Sequence, residues 1–356
     1  MTRIAIDAMG GDHAPREVVA GAVWAAQEYG VAIELVGKQD RIEHELNRIN
    51  SEGIISTAGG FKNTRIKIDI SKLDITITPA TEVIEMGEAP GQAIRKKKKS
   101  SIVLAVNAVA TGSSDAIVAA GSTGAAMAAS LFGLGRIPGI DRPAIAVTLP
   151  TRKEPIVLID AGANSNCTPD MLFQFAVMGT IFSKNVLNIE TPRVGVLNIG
   201  EEAGKGNELA QATYKLLEEN QDKINFVGNI EGKEIFSGLC DVIVCDGFVG
   251  NVALKITEGT ASMLFNMLKE EFKSDPLAKI AGLIAKPFMK RIFRKINHEE
   301  FGGALLLGVK GITVISHGSS KAYAIKNAVR VAKNAVESSV NKKIAGFLDG
   351  NSEVSN

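Results

Sequence analysis

The sequence predicts an α/β protein with a mostly parallel sheet covered by helices on both faces. The first observation is a recurring unit, in which a short apolar, β-branched run ends at a glycine-rich polar cluster and a helix-like stretch follows. Runs this short and apolar are typical of strands buried on both faces. The second is the alternation of strands and helices at crossover lengths up to about residue 256. This alternation favours a doubly wound sheet, because such crossovers are almost always right-handed.

The polar clusters that end the apolar runs form the candidate site. Because ligands of parallel sheets bind beyond the carboxyl ends of the strands, we expect these clusters to lie at that edge. Glycine lets backbone N–H groups approach an anion, and the following helix start adds a positive dipole end. The pattern therefore predicts an enzyme with an anion-binding site in AMGGDHAP, GSTGA, AGANSN, IGEEAGKGNE, NIEG, DGFVGN and HGSS.

Composition narrows the class of protein. The chain has 356 residues, is 45% hydrophobic and balances 40 basic against 39 acidic residues, which argues against a dedicated nucleic-acid binder. Cys167, Cys240 and Cys245 have no metal-ligand spacing, and we expect buried thiols rather than a disulfide. The first residues lack a signal pattern, and no apolar span suffices to cross a bilayer, so a cytoplasmic location is expected.

The elements are justified in order along the chain. The run at 3–7 is the first strand, and a helix from Glu17 to Gly30 follows, with Pro15 near its first turn, where a missing N–H costs least. Residues 32–37 form a second strand, and Asp40 is the expected N-cap of the next helix. Polar strands and turns occupy about 50–80, and the Ala-, Val- and Gly-rich stretch 101–149 is expected to form the buried middle of the sheet.

One segment breaks the alternation. We expect a single catalytic domain over 1–347, a basic amphipathic helical extension at about 257–297 and a flexible tail over 348–356. Within 276–296, apolar residues that include Leu283, Ile284 and Phe288 recur at helical spacing among lysines and arginines, and Pro287 should kink or restart the helix. This surface would either lie on anionic lipid or pack in a dimer.

The first cluster offers Gly10 and Gly11, which permit positive φ, and Asp12 and His13, which would meet a substrate. The alternative is an ordinary turn in which Asp12 caps the helix. The cluster with Ser122, Thr123 and Gly124 and the cluster with His317, Ser319 and Ser320 place hydroxyls at helix starts, as in a phosphate cradle. For the first of these, close helix–sheet packing with a Ser/Thr cap is the alternative, and for the second the alternative is plain capping.

Three further features could carry chemistry. Lys205, between two glycines at a strand end, would pair with an anion or polarise a carbonyl, or would merely be solvated. Asn251 would donate its amide to a substrate or act as an N-cap. The run Arg95–Lys99 would be a solvated face or a dock for an acidic partner. The histidines and cysteines are scattered, so no metal site is predicted. The sequence lacks a dinucleotide-binding or P-loop fingerprint, so no cofactor is predicted either.

Together IDAMGGDHAP, AGSTGA, DAGAN, GKGNEL, DGFVGN and HGSS resemble the bacterial acyl-acyl-carrier-protein:phosphate acyltransferases of phospholipid synthesis, from Arg3 to about Ala345. The resemblance implies a three-layer α/β/α Rossmann-like fold, related to isopropylmalate dehydrogenases and phosphotransacetylases, and a homodimer. It implies transfer of a long acyl chain from acyl-carrier protein to inorganic phosphate without a cofactor, and essential roles for Lys205 and Asn251. Ser122 stands where many members carry asparagine, which makes a specific role for it less secure.

From the residues and the resemblance we predict that Lys205 binds phosphate or the oxyanion, that Asn251 donates to the thioester carbonyl and that His13 carries a proton to the leaving thiol. We predict that substrate or phosphate is bound by Gly10, Gly11, Asp12, Ser122, Thr123, Gly124, Asn164, Asn207, Asp246, His317, Ser319 and Ser320.

The remaining expectations concern partners. Arg95, Lys96 and Lys97 would dock the acidic carrier protein, and Leu283, Ile284 and Phe288 would contact an anionic membrane face, where a downstream glycerol-3-phosphate acyltransferase is a further partner. The alternatives are a small-acyl phosphotransacetylase that uses coenzyme A and a non-catalytic, membrane-recruited scaffold. A dinucleotide-dependent dehydrogenase is disfavoured because the fingerprint is absent.

Overall fold

The computed structural model describes residues 1–56, 64–151, 153–296 and 298–348. Strands and helices alternate through most of this range. The strands are β1 (Arg3–Asp7), β2 (Ala32–Gly37), β3 (Ile54–Ser56), β4 (Thr64–Ile66), β5 (Ile75–Pro79), β6 (Ala116–Ala119), β7 (Ala144–Leu149), β8 (Ile156–Ile159), β9 (Val194–Asn198), β10 (Phe226–Glu231), β11 (Val242–Val244), β12 (Ala304–Leu307) and β13 (Ile312–Ile315). The helices are α1 (Arg16–Tyr29), α2 (Gln39–Glu52), α3 (Pro90–Lys96), α4 (Ser101–Ala110), α5 (Thr123–Leu134), α6 (Pro169–Val186), α7 (Glu208–Glu218), α8 (Gly247–Glu271), α9 (Pro276–Ile296), α10 (His298–Phe301), α11 (Ala322–Glu337) and α12 (Val340–Leu348).

One sheet of 11 strands organises the fold, in the order β10-β9-β11-β8-β7-β12-β13-β6-β1-β2-β5. The strands on each side of the centre are parallel to their neighbours, but the β8–β7, β7–β12 and β12–β13 pairings are all antiparallel. Three reversals in succession make β8 antiparallel to β13. The mostly parallel sheet is therefore confirmed, but its two halves point in opposite directions, and their polar loops lie at opposite edges.

Helices cover both faces of the sheet, as predicted. In β1, Ile4 and Ile6 join the core on one face with α1, α6 and α11, whereas Ala5 faces the core formed with α4 and α5. The same alternation holds in β6, where Val118 and Ile117 point to opposite cores. Both sides of these strands are buried, which explains why their sequences are continuously apolar.

The predicted boundaries at the amino-terminal end are nearly correct. The strands at 3–7 and 32–37 are β1 and β2. Helix α1 ends before Gly30, whose φ of 62° is the left-handed conformation that glycine adopts readily. The expected N-cap at Asp40 is wrong, because α2 begins at Gln39, Lys38 is the N-cap and Asp40 lies in the first turn.

The helical extension begins earlier than predicted. Helix α8 starts at Gly247, and α9 continues through Pro287 without restarting. Every described side chain of α9 is partly or fully exposed, and Leu283, Ile284 and Phe288 are 73%, 66% and 54% exposed. Within the described ranges, no helix combines the length and the apolarity needed to cross a membrane. Leu348 still belongs to α12, and the rest of the predicted tail lies outside the described residues.

Candidate functional site

Three polar loops meet at the carboxyl ends of β1, β6 and β13. A Cβ at Gly10 would lie 2.8 Å from the Gly121 nitrogen, and one at Gly11, whose φ is 105°, would lie 2.9 Å from the Ala120 carbonyl oxygen. The Asp12 N–H donates to the Gly318 carbonyl at 2.8 Å. The glycine pair therefore lets these backbones approach each other closely, which any larger residue would prevent.

The loop after β13 is largely satisfied by its own contacts. The Ser316 and Ser320 hydroxyls lie 2.8 Å apart, and His317 Nδ1 lies 2.7 Å from the Ser319 hydroxyl. The N–H of Ala322, the first residue of α11, donates to Glu17 Oε2 at 3.0 Å. A carboxylate thus already occupies this helix start, which leaves the start of α5 as the better place in this group for a second anion.

Ser122 and Thr123 have different roles at the start of α5. The Ser122 hydroxyl accepts from the Ala125 N–H at 3.3 Å and is the N-cap. The side chain of Thr123 is exposed. The predicted capping alternative therefore describes Ser122, whereas Thr123 is available to a substrate.

A second group of loops is organised by Asp160, which follows β8 and is completely buried. Its Oδ1 accepts from the Ile145 and Ala163 N–H groups, each at 3.0 Å. Its Oδ2 accepts from the backbone N–H and the side-chain amide of Asn164 at 2.7 and 2.9 Å. Burial raises the pKa of this carboxyl group, and these hydrogen bonds partly offset the rise. The side chain of Asn164 is thereby engaged in holding the loop.

Helix α8 begins directly against Asp160. The Gly247 N–H donates to the Asn164 carbonyl at 2.7 Å, and a Cβ at Gly250 would lie 1.9 Å from the Asp160 carbonyl oxygen. Asp246 is the N-cap, because its Oδ1 accepts from two N–H groups of the first turn. The N-cap alternative for Asn251 is therefore wrong.

Asn251 lies one turn inside α8, beside Gly162. A Cβ at Gly162, whose φ is 129°, would lie 3.6 Å from the amide carbon of Asn251. Asn251 is exposed, so its amide is accessible from the cavity that it lines. Its position depends on the contact between Asp160 and the first turn of α8.

A cavity of about 630 Å³ joins the first group of loops to Asn251 across the middle of the sheet. Its polar lining contains five of the predicted site residues, and its apolar lining comes from the sheet face and α8. These five are Asp12, Thr123, Asn251, His317 and Ser320, and the apolar lining includes Ile145, Val147, Leu149, Leu254, Phe265 and Ile315. An apolar cleft with a few convergent polar groups is the usual form of a small-molecule site.

Asp12 lines this cavity and does not cap α1, whose N-cap is Pro15. His13 is exposed beside it and is not among the residues that line the cavity. On the same face of the molecule, burial raises the pKa of Asp7, whose Oδ1 accepts from the Met9 N–H at 3.2 Å. Asp7 thus holds the first loop much as Asp160 holds the second.

Lys205 lies apart from the cavity, at the edge of the sheet opposite to the first group of loops. It is exposed, and its carbonyl accepts from the Asn198 amide at 3.1 Å. Asn207 is the N-cap of α7, because its Oδ1 accepts from the Ala210 N–H at 2.9 Å. The structure therefore does not bring Lys205 together with His13 and His317, although the sequence placed them in one site.

The basic run is divided by its contacts. Lys97 Nζ donates to Glu88 Oε1 at 2.6 Å and to the Val83 carbonyl at 2.8 Å, so Lys97 fastens its own loop. Arg95 and Lys96 are exposed, and the Arg95 guanidinium lies 5.5 Å from the centre of the Phe132 ring. Their helix, α3, packs beside the start of α5, close to the cavity.

Two groups in the site were missed at the level of sequence. Asp160 reads as one of several polar residues that follow a strand, and nothing local indicates that it is buried. Lys255 lines the cavity one turn after Asn251 on the same side of α8. The i, i+4 spacing of Asn251 and Lys255 could have revealed this second position.

Known proteins resemble this chain over nearly its whole length. The family model described as fatty acid synthesis protein matches residues 2–343. A phosphate acyltransferase of Pelotomaculum thermopropionicum is 51% identical over 347 residues, which cover 98% of this chain and 95% of that protein. A phosphate acyltransferase of Halothermothrix orenii is 48% identical and is covered to 97%, as is this chain.

Solved structures support the fold. The EutD phosphotransacetylase of Staphylococcus aureus has a TM-score of 0.60 at 13% identity, with 94% of both chains covered. A phosphotransacetylase of Streptococcus pyogenes gives the same TM-score and coverage at 16% identity. The predicted Rossmann-like, phosphotransacetylase-related α/β/α fold is confirmed.

Proposed function

The chain belongs to the fatty acid synthesis protein family and is an acyltransferase, and on that premise we propose that it transfers a long-chain acyl group from acyl-carrier protein to inorganic phosphate. The observation that carries the proposal is the cavity, in which one lining is apolar and the other combines hydroxyl, amide and imidazole groups with three carboxylates and one ammonium group. An acyl chain would lie against the apolar lining, and the reacting thioester and the phosphate would lie at the polar one.

The chemistry requires little from a general base. Phosphate is an anionic nucleophile, and one of its oxygens attacks the thioester carbon to form a tetrahedral oxyanion. Collapse breaks the C–S bond and expels the carrier as a thiolate, which takes up a proton to become the thiol, and acyl phosphate remains. The Asn251 amide would donate to the oxyanion, a contribution that is typically worth a factor of about 10² to 10³ in kcat.

The test is an assay of palmitoyl-carrier protein with radiolabelled phosphate. Asn251→Ala should lower kcat by about 10² to 10³, whereas Asn266→Ala, an exposed asparagine on the same helix, should not change it. Near-normal turnover of Asn251→Ala would remove the oxyanion role. Absence of labelled acyl phosphate with the unaltered protein would remove the proposed reaction.

The acyl donor separates this function from its first rival. The likeness to phosphotransacetylases makes a coenzyme A donor the alternative to be tested. We expect kcat/KM for palmitoyl-carrier protein to exceed that for palmitoyl- and acetyl-coenzyme A. A preference for acetyl-coenzyme A would favour the rival.

Lys205 is proposed to act at the same reaction from the loop between β9 and α7. Because it lies outside the cavity, its contribution requires movement of this loop or binding to a more distant part of a substrate. Lys205→Ala should lower turnover, with Lys215→Ala, a surface lysine of α7 that lies 3.9 Å from Glu219, as the matched control. Equal rates in both variants would exclude Lys205 from the mechanism.

The carrier protein is proposed to dock on Arg95 and Lys96, which are exposed beside the loops of the cavity. Lys97 is better regarded as structural, since it is bound to Glu88. Arg95→Glu with Lys96→Glu should raise KM for acyl-carrier protein without changing KM for phosphate. An unchanged carrier KM would locate docking elsewhere.

The exposed side of α9 is proposed to contact a second copy of the chain or an anionic membrane face. In the second case α9 would attach a cytoplasmic, single-domain enzyme to the membrane surface, near a downstream membrane acyltransferase. Leu283→Asp with Ile284→Asp should abolish flotation with anionic vesicles if α9 inserts into lipid, and Leu283→Ala with Ile284→Ala should weaken it less. Unaltered flotation of a still-dimeric variant would exclude insertion, whereas loss of the dimer would assign α9 to the dimer interface.

A further inference from the structure

The charges around the cavity raise a problem for any anionic substrate. Asp12, Glu258 and Glu299 line the cavity and are carboxylates. Among the lining residues in the described part of the chain, Lys255 is the only lysine or arginine. A phosphate group that enters this space comes close to like charges, and a cation beside it would offset their repulsion.

Lys255 is placed where such a cation would act. It follows Asn251 by four residues, so both side chains lie on the same side of α8 and both line the cavity. Lys255 is about half-exposed, with 48% of its side chain accessible. It can therefore reach a ligand without first leaving a buried position.

The ammonium group of Lys255 is paired with the carboxylate of Glu258. Lys255 Nζ donates to Glu258 Oε2 at 2.8 Å, and Glu258 also lines the cavity. An exposed i, i+3 ion pair of this kind contributes little to stability, so an incoming dianion can displace it at small cost. The carboxylate thus holds the lysine over the cavity and competes with the ligand for it.

We propose that Lys255 binds a phosphate group of the substrates in this cavity, and that Glu258 weakens this binding by competing for the same ammonium group. The inference rests on the proposed function, which supplies two sources of this chemistry. One is inorganic phosphate, and the other is the phosphodiester of the phosphopantetheine arm that carries the acyl chain.

The experiment compares Lys255→Ala with Lys269→Ala, a lysine on α8 that does not line the cavity. Loss of a hydrogen bond between charged groups should raise the relevant KM by roughly tenfold to a hundredfold. A rise in KM for phosphate alone assigns inorganic phosphate to Lys255. A rise in KM for the acyl donor alone assigns the phosphopantetheine phosphodiester. Lys255→Arg should restore much of the binding in either case.

Glu258→Gln provides a readout of opposite sign that a structural role for the ion pair would not give. It should lower the same KM several-fold, because the lysine is released and a nearby negative charge is removed. If Lys255→Ala changes neither KM, or if Glu258→Gln weakens binding as Lys255→Ala does, the proposal is overturned.

Calorimetry with inorganic phosphate alone keeps this test separate from the reaction. If the unaltered protein forms acyl phosphate but Lys255→Ala retains both KM values, Lys255 is excluded and the proposed function stands. If the unaltered protein forms none, the proposed function falls. Loss of phosphate binding in Lys255→Ala would then still support a phosphate site, and unchanged binding would overturn it.

Discussion

Gly250→Ala should inactivate the enzyme while leaving it folded. A Cβ at this position would lie 1.9 Å from the Asp160 carbonyl oxygen, about 1.5 Å short of an ordinary van der Waals contact. The oxygen belongs to backbone that four N–H hydrogen bonds to the Asp160 carboxylate hold in place. The first turn of α8 must therefore move, and Asn251, the next residue, moves with it.

The expected loss follows from this displacement. A misplacement of about 1 Å in a catalytic group can lower the rate about a hundredfold, so kcat should fall by at least that factor. The measurement is the phosphate-dependent acyl-transfer assay, accompanied by circular dichroism and by urea unfolding to establish that the variant is folded.

Gly259→Ala is the matched control, because a Cβ at this position of the same helix would have no neighbour within 4 Å. It should leave kcat unchanged and raise the free energy of unfolding by about 0.5–1 kcal/mol, the helix preference of alanine over glycine. Full activity of Gly250→Ala would refute the dependence of Asn251 on this contact. Equal inactivation of both variants would show that the loss does not depend on the contact with Asp160.

Two further predictions concern stability. Lys326 is nearly buried, and its Nζ lies 4.7–5.3 Å from three aromatic ring centres and 2.7 Å from Glu28 Oε1. Because Lys326→Ala removes all of these contacts, it should lower the free energy of unfolding by about 2–3 kcal/mol. Lys333→Ala on the same helix, which removes a pair at 3.7 Å, should lower it by less than about 0.5 kcal/mol in the same urea titration, and equal losses would contradict the importance of the aromatic cluster. Burial raises the pKa of Cys240 to about 12, so the folded protein holds the thiol proton more tightly than the unfolded chain, in which the pKa is about 8.5. The resulting contribution to the free energy of unfolding is fully present below about pH 8.5 and is lost as pH rises toward 12. In urea titrations between pH 8 and pH 10.5, the free energy of unfolding should therefore decline with pH, and it should decline less in Cys240→Ala. An identical dependence of this free energy on pH in both proteins would exclude the thiol as a cause.

Much of the fold could be predicted because it is recorded in local patterns. β1 and β2 were located correctly, since continuous apolar runs report burial on both faces. The helix starts were less certain. Ser122 and Asn207 cap their helices, whereas Lys38 precedes α2 without a side-chain cap, so polar residue type alone misplaced that boundary to Asp40.

The reversal of strand direction within the sheet has a signal in the sequence, which is the length of two connections. Only residues 150–155 separate β7 from β8, and only 308–311 separate β12 from β13. Connections this short join antiparallel strands, because a parallel crossover needs a dozen or more residues. The pairing of β7 with β12, which joins the two hairpins, has no such local signal because the two strands are remote in sequence.

The sequence by itself determined the α/β class, the polar loops after the strands, the amphipathic surface of α9 and the family. Tertiary structure decided which loops share a cavity. Local periodicity reports which faces of a strand are buried, but not which strand lies beside it or in which direction. That pairing places Thr123, His317 and Asn251 around one cavity, leaves Lys205 outside it and makes Asp160 a buried support for α8.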